Sequence, residues 1–504
     1  MHWIQFAVGV AVGVAALALP SCGQPRRPNV LWIVWDTARA DHLSLYGADR
    51  ETTPFLDEWA RGARVFDDCL STAGYTLPSH ASMFTGLLPS EHCADNHTKR
   101  LDDRYTTIAE VLGTVGYQTY LYSANPHISS GGNFQQGFDV AEHPWSPQFV
   151  ERAAAIVRSK LPDEDQSSEL GARFRDHEQG KGTLSVWNIK AAGELAGEAV
   201  LDWLETVDRR RPFFVFLNYM EAHRPYIPPR RFRERTMSPE QIAESYTVDR
   251  SWVPTWEYTF GLRDFTEGEI ELTRATYDAT LVELDELFRN LVVNLEREGY
   301  LDDTVVILTA DHGEHLGEQH MLDHQYSVYQ PLLRVPLIVH YPSRFAPGRE
   351  GSPVMNFDIF PTLLELAGAE PPVGQQPRAV SLLAAGAERS RFAEESASSR
   401  VGIHMVREQH PDWDPSPWRR RLRSWVDGRY KYIWGSDERR ELYDLSVDPL
   451  EQRDLSLQQT DTLQSMNTSL EAYYASLRLC DPEASPQSVP PEQYEMLKSL
   501  GYVE

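Results

Sequence analysis

Cysteine is scarce in this chain, which has four of them among 504 residues. So few cysteines exclude a fold that is held together mainly by disulfides. The spacing of Cys69 and Cys93 does not match a structural zinc site either. A Cys69–Cys93 bridge is permitted in an oxidising compartment, but the sequence alone does not establish it.

Positive charge is also in short supply. The chain has 48 lysines and arginines against 74 aspartates and glutamates, which gives a formal net charge of −26. This acidic balance argues against nonspecific binding to nucleic acid or to an anionic lipid surface. We therefore expect no nucleic-acid partner. An anionic substrate would need a local positive centre in the protein, most simply a metal ion.

Residues 6–19 form an almost wholly apolar run, but its length is at the short limit for crossing a bilayer. Ser21 and Cys22 follow it, and Leu19 stands three positions before Cys22. This pattern predicts a signal peptide over residues 1–22 that ends in a lipobox. The alternative is an uncleaved anchor helix. We expect export to a bacterial cell envelope or periplasm, with membrane contact only through a lipid on Cys22 or through this anchor.

Two nearly continuous apolar runs, residues 29–35 and 304–310, are typical of strands that are buried on both faces of a mostly parallel sheet. Catalytic groups lie beyond the carboxyl ends of such strands. Asp36 follows the first run, and Asp311 and His312 follow the second. Gly313 would supply the backbone freedom of the turn there.

Residues 192–206 and 267–299 show helical periodicity, whereas residues 419–434 alternate in the manner of antiparallel strands. The predicted fold class is α/β, with a large mixed, mostly parallel sheet flanked by helices and a smaller C-terminal α+β subdomain. Residues 29–389 would form the catalytic domain and residues 390–504 the smaller unit with its tail. The polar stretch 161–182 is predicted to be a surface insertion or lid.

Residues 74–86 are predicted to be a short loop that enters a helix. Pro78 has a fixed φ that suits a first helical turn. The hydroxyl of Thr76 would then lie near the unpaired N–H groups at the positive end of the helix dipole. This position suits a nucleophile that must carry an anionic group, but an ordinary helix cap fits the same residues.

The segment resembles the signature of the sulfatase family, in which Cys or Ser is followed by x-Pro-x-Arg and then Ala-Ser-x-x-Thr-Gly. Thr76 stands at the Cys/Ser position and His80 at the Arg position. The family oxidises its Cys or Ser to formylglycine, whereas a threonine would give a ketone instead of that aldehyde. Thr76 is therefore more similar to the unmodified threonine nucleophile of phosphodiesterases and phosphonate hydrolases in the wider alkaline phosphatase superfamily. Further segments match the family as well: Asp36, Asp311-His312-Gly313 and His223-x-Pro225-Tyr226.

The resemblance implies a divalent metal ion held by Asp36, Asp311, His312 and the oxygen of Thr76. A nitrogen ligand favours Mn²⁺ or Zn²⁺, although Ca²⁺ would also be accepted. A second metal ion, bound by residues around His315 and His320, stays open.

The resemblance also implies that further histidines contact the transferred group or protonate the leaving group, namely His80, His223 and His324. His127 is a weaker candidate, because it would replace a family histidine only after a shift of one residue.

The implied activity is metal-dependent hydrolysis of phosphate or phosphonate esters through a covalent ester on Thr76. Hydrolysis of sulfate esters by unmodified Thr76 is the alternative, and a catalytically inactive binding protein on the same fold is a further one. The substrate would be a small molecule, or an ester of a glycan or lipid headgroup.

Overall fold

The computed structural model describes residues 27–160, 188–395 and 401–481. The predicted signal peptide over residues 1–22, the predicted lid over 161–182 and the end of the tail lie outside the described residues.

The regular elements of the described ranges are numbered here in chain order. The strands are β1 Asn29–Trp35, β2 Arg64–Phe66, β3 Cys69–Leu70, β4 Gln118–Ser123, β5 Val140–Glu142, β6 Phe213–Tyr219, β7 Thr304–Thr309, β8 His315–Leu316, β9 Leu322–Asp323, β10 Leu337–His340, β11 Gly348–Glu350, β12 Val354–Met355, β13 Arg391–Glu395, β14 Leu422–Asp427, β15 Tyr430–Gly435 and β16 Arg440–Asp444. The α-helices are α1 Pro54–Trp59, α2 Thr76–Thr85, α3 Pro89–His92, α4 Ile108–Thr114, α5 Val150–Lys160, α6 Ala192–Thr206, α7 Arg230–Arg233, α8 Pro239–Ser245, α9 Trp252–Thr259, α10 Glu267–Arg297, α11 Gln330–Leu333, α12 Ile359–Ala367, α13 Val401–Gln409 and α14 Thr460–Ala475.

The main sheet has eight strands in the order β11-β2-β10-β7-β1-β6-β4-β5. The strands β7, β1, β6, β4 and β5 run parallel to one another. The strand β10 is antiparallel to both of its neighbours, β7 and β2. The predicted α/β class with a large, mostly parallel sheet is thereby confirmed.

Helices cover both faces of the sheet, which is why the central strands are apolar throughout. Trp32 and Trp35 of β1 point to opposite faces because side chains alternate along a strand. The ring centroid of Trp32 lies 5.6 Å from that of Phe84 on α2, and that of Trp35 lies 6.1 Å from that of Phe288 on α10. Burial of such runs in a parallel sheet leaves the strand ends as the place for polar side chains.

A second, antiparallel sheet has the order β13-β14-β15-β16, and α14 packs on it. Trp425 of β14 contacts Tyr473 of α14 with ring centroids 4.9 Å apart. This sheet and helix are the small C-terminal unit expected from the alternating pattern. The boundary at residue 390 stays a prediction.

The disulfide of the described chain joins Cys93 to Cys480, not to Cys69. Cys69 lies in β3 and is a buried free thiol. Cys480 follows α14, and its backbone N–H donates to the carbonyl of Ser90 at 2.9 Å. The end of the chain thus reaches Cys93 through tertiary packing, which the spacing of the cysteines could not reveal.

A search of the described helices for a membrane span found none with the required length and apolar character.

Candidate active site

Polar side chains from four adjacent strands meet at one edge of the main sheet. Asp36 follows β1, Asp311 and His312 follow β7, and Asn125 follows β4. Asn218 lies in β6 and His223 follows that strand. Because these strands are neighbours and parallel, their carboxyl ends bring residues that are far apart in sequence to one site.

Asp36, Asp311 and His312 form a group whose potential ligand atoms all lie within 4.8 Å of one another. One oxygen of each carboxylate is already bonded. Asp36 Oδ2 accepts from the amides of Asn125 at 2.8 Å and Asn218 at 3.2 Å. Asp311 Oδ1 accepts from the backbone N–H of His312 at 2.9 Å. The other two oxygens, Asp36 Oδ1 and Asp311 Oδ2, are buried without a hydrogen-bond partner.

Burial makes the ionised forms of Asp36 and Asp311 unfavourable unless a positive charge lies beside them. It raises the pKa of Asp36 to about 7, and the nearby charge of Asp311 adds to the effect. Burial likewise raises the pKa of Asp311 to about 7 and lowers that of His312 to about 3. Two buried carboxylates with one orphaned oxygen each, beside a neutral imidazole, fit a divalent cation. A divalent metal ion therefore has suitable ligands here.

Thr76 is the first residue of α2 and is fully buried. Its Oγ1 lies 3.2 Å from His312 Nε2 and 3.4 Å from Asn125 Nδ2. His312 Nδ1 donates to the carbonyl of Gly313 at 2.8 Å, so Nε2 carries the lone pair. That nitrogen can accept from the threonine hydroxyl or ligate a cation. The structure thus brings Thr76 together with the predicted metal ligands.

His223 and His324 lie together beside this group. Their ring centroids are 5.0 Å apart, and that of His324 is 4.7 Å from that of His312. His223 Nδ1 donates to the carbonyl of Arg224 at 2.6 Å. Burial, followed by the nearby charge of His324, lowers the pKa of His223 well below its usual value. His223 is therefore a neutral imidazole with its lone pair on Nε2.

His324 has the opposite electrostatic environment, because two carboxylates face its Nδ1. Asp323 Oδ1 lies 2.8 Å from it and Glu314 Oε1 lies 3.2 Å from it. Burial alone would lower the pKa of His324, but these two carboxylates raise it well above the usual value. Arg224 pairs with the second oxygen of Asp323, and Tyr226 donates to Glu314 at 3.0 Å. His324 is thus held as an imidazolium at the edge of the site.

Glu314, Asp323 and His324 also lie within 4.8 Å of one another, as a second metal site would require. The contacts just described already satisfy both carboxylates, and they favour a protonated imidazole over a second cation. His315 bonds to Ser327 at 2.7 Å, and His320 is half exposed beside Asp264. The structure therefore does not bring His315 and His320 to one point, and the second metal ion that the sequence left open has no support from these two residues.

His80 and His127 contact the residues at the start of α2. His80 Nδ1 donates to the Thr76 carbonyl at 3.0 Å, and its ring packs against Phe84, Phe134 and Phe216. This placement favours support of the first turn of α2 over contact with a substrate oxygen. His127 Nε2 bonds to the hydroxyl of Tyr75 at 2.8 Å, one residue before the nucleophile position.

Four further residues belong to the site, although they were not predicted from the sequence: Asn125, Asn218, Glu314 and Asp323. Asn125 and Asn218 carry one usable signal, because both come at or just after the end of a buried strand. Glu314 stands inside the Asp311-His312-Gly313-Glu314 motif. Asp323 carries no local signal, because its role depends on Arg224 and His324.

The chain is similar to known proteins over most of its length. A family model described as "Sulfatase" matches residues 28–369, and one described as "N-sulphoglucosamine sulphohydrolase, C-terminal" matches residues 317–478. The N-acetylglucosamine-6-O-sulfatase of Bacteroides thetaiotaomicron is 24% identical over 436 residues, which cover 71% of this chain and 72% of that protein.

Two further similar proteins, one found by sequence and one by structure, are not named as sulfatases. The multifunctional alkaline phosphatase superfamily protein PehA of Trinickia caryophylli is 25% identical over 387 residues, covering 69% of this chain and 75% of that protein. The crystal structure of the phosphonate monoester hydrolase of Agrobacterium radiobacter superposes with a TM-score of 0.68 at 22% identity, covering 89% of this chain and 96% of that chain.

Proposed function

The chain belongs to the sulfatase family and is a hydrolase that acts on ester bonds, and on that basis we propose that it cleaves phosphate or phosphonate esters through a covalent ester on Thr76. Mono- and diesters both fall within this proposal. The observation that carries it is the position of Thr76 Oγ1, which lies 3.2 Å from His312 Nε2 at the start of α2.

We propose phosphate or phosphonate esters over sulfate esters because of the chemistry of threonine. Formylglycine hydrate lets a sulfated intermediate collapse by elimination, but a threonine ester has to be hydrolysed directly. Direct displacement at phosphorus suits phosphate and phosphonate esters. The likeness to a phosphonate monoester hydrolase in fold and the relative from the alkaline phosphatase superfamily support the same class of substrate.

In the proposed reaction Thr76 Oγ1 attacks phosphorus in line with the leaving oxygen. A divalent cation held by Asp36, Asp311 and His312 would supply positive charge that favours loss of the threonine proton to water. The bond from phosphorus to the leaving oxygen breaks, and that oxygen takes a proton from the His324 imidazolium. A water molecule then attacks phosphorus in the threonine ester and gives one proton to the neutral His324, which becomes an imidazolium again. Thr76 Oγ1 leaves and regains from solvent the proton that it released in the first step.

Other side chains hold the groups that react. Asn125 donates to Asp36 and extends its amide toward Thr76 Oγ1, so it orients the nucleophile. His223 presents the lone pair of Nε2 to the transferred group, where it can accept a hydrogen bond from a protonated oxygen of that group or from the attacking water. We further propose Mn²⁺ or Zn²⁺ over Ca²⁺, because the ligand set includes an imidazole nitrogen.

Hydrolysis of sulfate esters is the second candidate. The specific observation in its favour is the match of more than two thirds of this chain to a protein described as a sulfatase. Unmodified Thr76 would then form a sulfated threonine that water cleaves directly.

We propose that the protein is exported and anchored by a lipid on Cys22, with a small-molecule, glycan or lipid-headgroup ester as substrate. The disulfide between Cys93 and Cys480 supports export, because such bonds persist in oxidising compartments.

A paired turnover assay tests the activity. Purified full-length protein is stripped of metal, reloaded separately with Mn²⁺, Zn²⁺ or Ca²⁺, and given matched 4-nitrophenyl esters of phosphate, a phosphodiester, a phosphonate and sulfate. The expected result is phosphoester cleavage that Thr76→Ala abolishes and Thr76→Ser retains in part, with phosphorylated Thr76 trapped by acid quenching. Full turnover by Thr76→Ala would refute the nucleophile. Dominant sulfate cleavage would select the second candidate, and metal binding without turnover on any ester would indicate a binding protein.

A further inference from the structure

The loop that carries His324 has an unusual backbone. Residues 319–330 lie between β8 and the first residue of α11 and contain the short strand β9. They include several non-glycine residues in the left-handed region: Gln319 at φ 49°, His320 at 56°, Asp323 at 72°, Gln325 at 81° and Tyr326 at 60°. Each such residue costs conformational free energy, so the conformation persists only where surrounding structure imposes it.

The C-terminal unit supplies part of that surrounding structure through a buried ion pair. Lys431 of β15 and Glu451, which follows β16, lie 2.7 Å apart, and both side chains are fully buried. Lys431 Nζ donates to the carbonyl of Val328 at 2.6 Å. Glu451 Oε2 accepts from the backbone N–H of Gln330 at 2.5 Å. The two partners of the pair thus bind the last part of the loop from one side.

The first part of the loop is bound at the same place. Gln319 Nε2 donates to the carbonyl of Leu450 and lies 3.3 Å from that of Glu451. Tyr329 adds a further link, because its hydroxyl donates to Glu441 of β16 at 2.6 Å. Both ends of the loop are therefore fastened to the C-terminal unit, and His324 lies between them.

We propose that the buried Lys431–Glu451 pair is a positioning device for His324, so that the C-terminal unit completes the active site without touching the substrate. This inference rests on the proposed function, in which His324 protonates the leaving group. The pair acts by fixing the backbone that follows His324, at Val328 and Gln330. That backbone sets where the imidazole ring of His324 points relative to Thr76 and to the leaving oxygen.

An ion pair suits this place because its two side chains form directional hydrogen bonds to the backbone of the loop. A buried pair adds little net stability compared with well-packed apolar residues, because both charges lose their hydration. Apolar residues, however, could not bond the Val328 carbonyl and the Gln330 N–H. The lysine and the glutamate satisfy these two backbone groups and fix the loop at two defined points.

Kinetics with two leaving groups test the proposal. Lys431→Met and the milder Glu451→Gln are compared on a 4-nitrophenyl ester, which needs no acid to leave, and on the matching phenyl ester, which does. We expect kcat on the phenyl ester to fall about tenfold or more, with little change on the 4-nitrophenyl ester, because general acid catalysis has at least this value. In the His324→Ala background, Lys431→Met should cause no further loss.

Hydrogen exchange of the peptide containing residues 319–330 gives a readout independent of activity. Exchange there should become faster in Lys431→Met and Glu451→Gln than in the parent. Arg389→Met is the matched control, because it removes a cation from buried Asp358 and its partners lie outside the loop. The control should lower thermal stability while leaving both the exchange of the loop and the leaving-group dependence unchanged.

The outcomes distinguish the positioning role of the Lys431–Glu451 pair from the acid role of His324. Unchanged exchange of residues 319–330 in both variants, or an equal loss on both esters that persists in the His324→Ala background, would overturn the positioning role. A His324→Ala variant with normal turnover on the phenyl ester would refute the acid role in the proposed function. In that case the exchange result alone would decide whether the pair holds the loop.

Discussion

At Asp36, two asparagines share a single carboxylate oxygen but differ in what else they reach. Asn125 lies 2.8 Å from Asp36 Oδ2 and 3.4 Å from Thr76 Oγ1. Asn218 lies 3.2 Å from the same oxygen and bonds to Ser123 instead. The chain therefore offers a matched pair of amides, one of which contacts the nucleophile.

We expect Asn125→Ala to lower kcat about 10- to 100-fold with little change in KM, because a donor aimed at the reacting oxygen acts mainly in the transition state. Asn218→Ala should cost clearly less, since it leaves Thr76 untouched. Steady-state kinetics of both variants with saturating metal provide the measurement. Equal losses in the two variants would show that Asn125 works through Asp36 alone.

Single residues were predictable from the sequence where a strand end and a motif coincided. Asp36, Thr76, Asp311 and His312 are brought together as expected. The chemistry of His324 was not predictable, because its charge is set by Asp323 and Glu314 across a folded loop. A histidine in sequence shows neither its partners nor its protonation state.

Among the elements, β7 and the turn after it position Asp311 and His312, two of the three candidate metal ligands. The sequence suggested that Gly313 is needed for backbone freedom, but it is not among the residues with a positive φ. Glycine is needed at position 313 because there is no space for a side chain. A Cβ at Gly313 would lie 2.0 Å from the carbonyl oxygen of Pro331, and the N–H of Gly313 donates to Leu332 at 2.7 Å.

We therefore expect Gly313→Ala to force the turn and α11 apart, at a cost of about 1–3 kcal/mol, and to weaken metal binding. The control is Gly113→Ala in α4, where nothing lies within 4 Å of the added carbon. That change should stabilise the helix by about 0.5–1 kcal/mol. Thermal unfolding and metal titration of both variants measure the difference. A Gly313→Ala variant that melts like the parent and binds metal normally would contradict the packing argument.

The bounds of the long elements followed closely from periodicity. The predicted strand over 29–35 and the predicted helix over 192–206 match β1 and α6, and the helix predicted over 267–299 ends as α10 at Arg297. These elements bury strongly patterned faces, so the local sequence contains most of the information that defines them.

At the level of the whole molecule, the Cys93–Cys480 bridge ties the end of the C-terminal unit to the segment after α3, across a separation of 387 residues. A cross-link that closes so long a loop removes much conformational freedom from the unfolded chain.

We expect loss of this bridge to destabilise the protein by about 2–5 kcal/mol. A reductant should lower the midpoint of thermal unfolding of the parent but not that of a Cys93→Ser/Cys480→Ser variant. Cys69→Ala should keep the sensitivity of the parent, because Cys69 is a free thiol. Equal responses of the parent and the double variant to reductant would rule out a stabilising bridge.

The sequence by itself determined the α/β class, the central strands and the polar residues that follow them, because these depend on side-chain period and on turn chemistry within short segments. Only the tertiary structure decided that Cys93 pairs with Cys480, that Asn125 reaches Thr76, and that Lys431 and Glu451 hold the loop of His324. Each of these contacts joins segments that are far apart in the chain. Their formation depends on how whole layers pack, which no local pattern encodes.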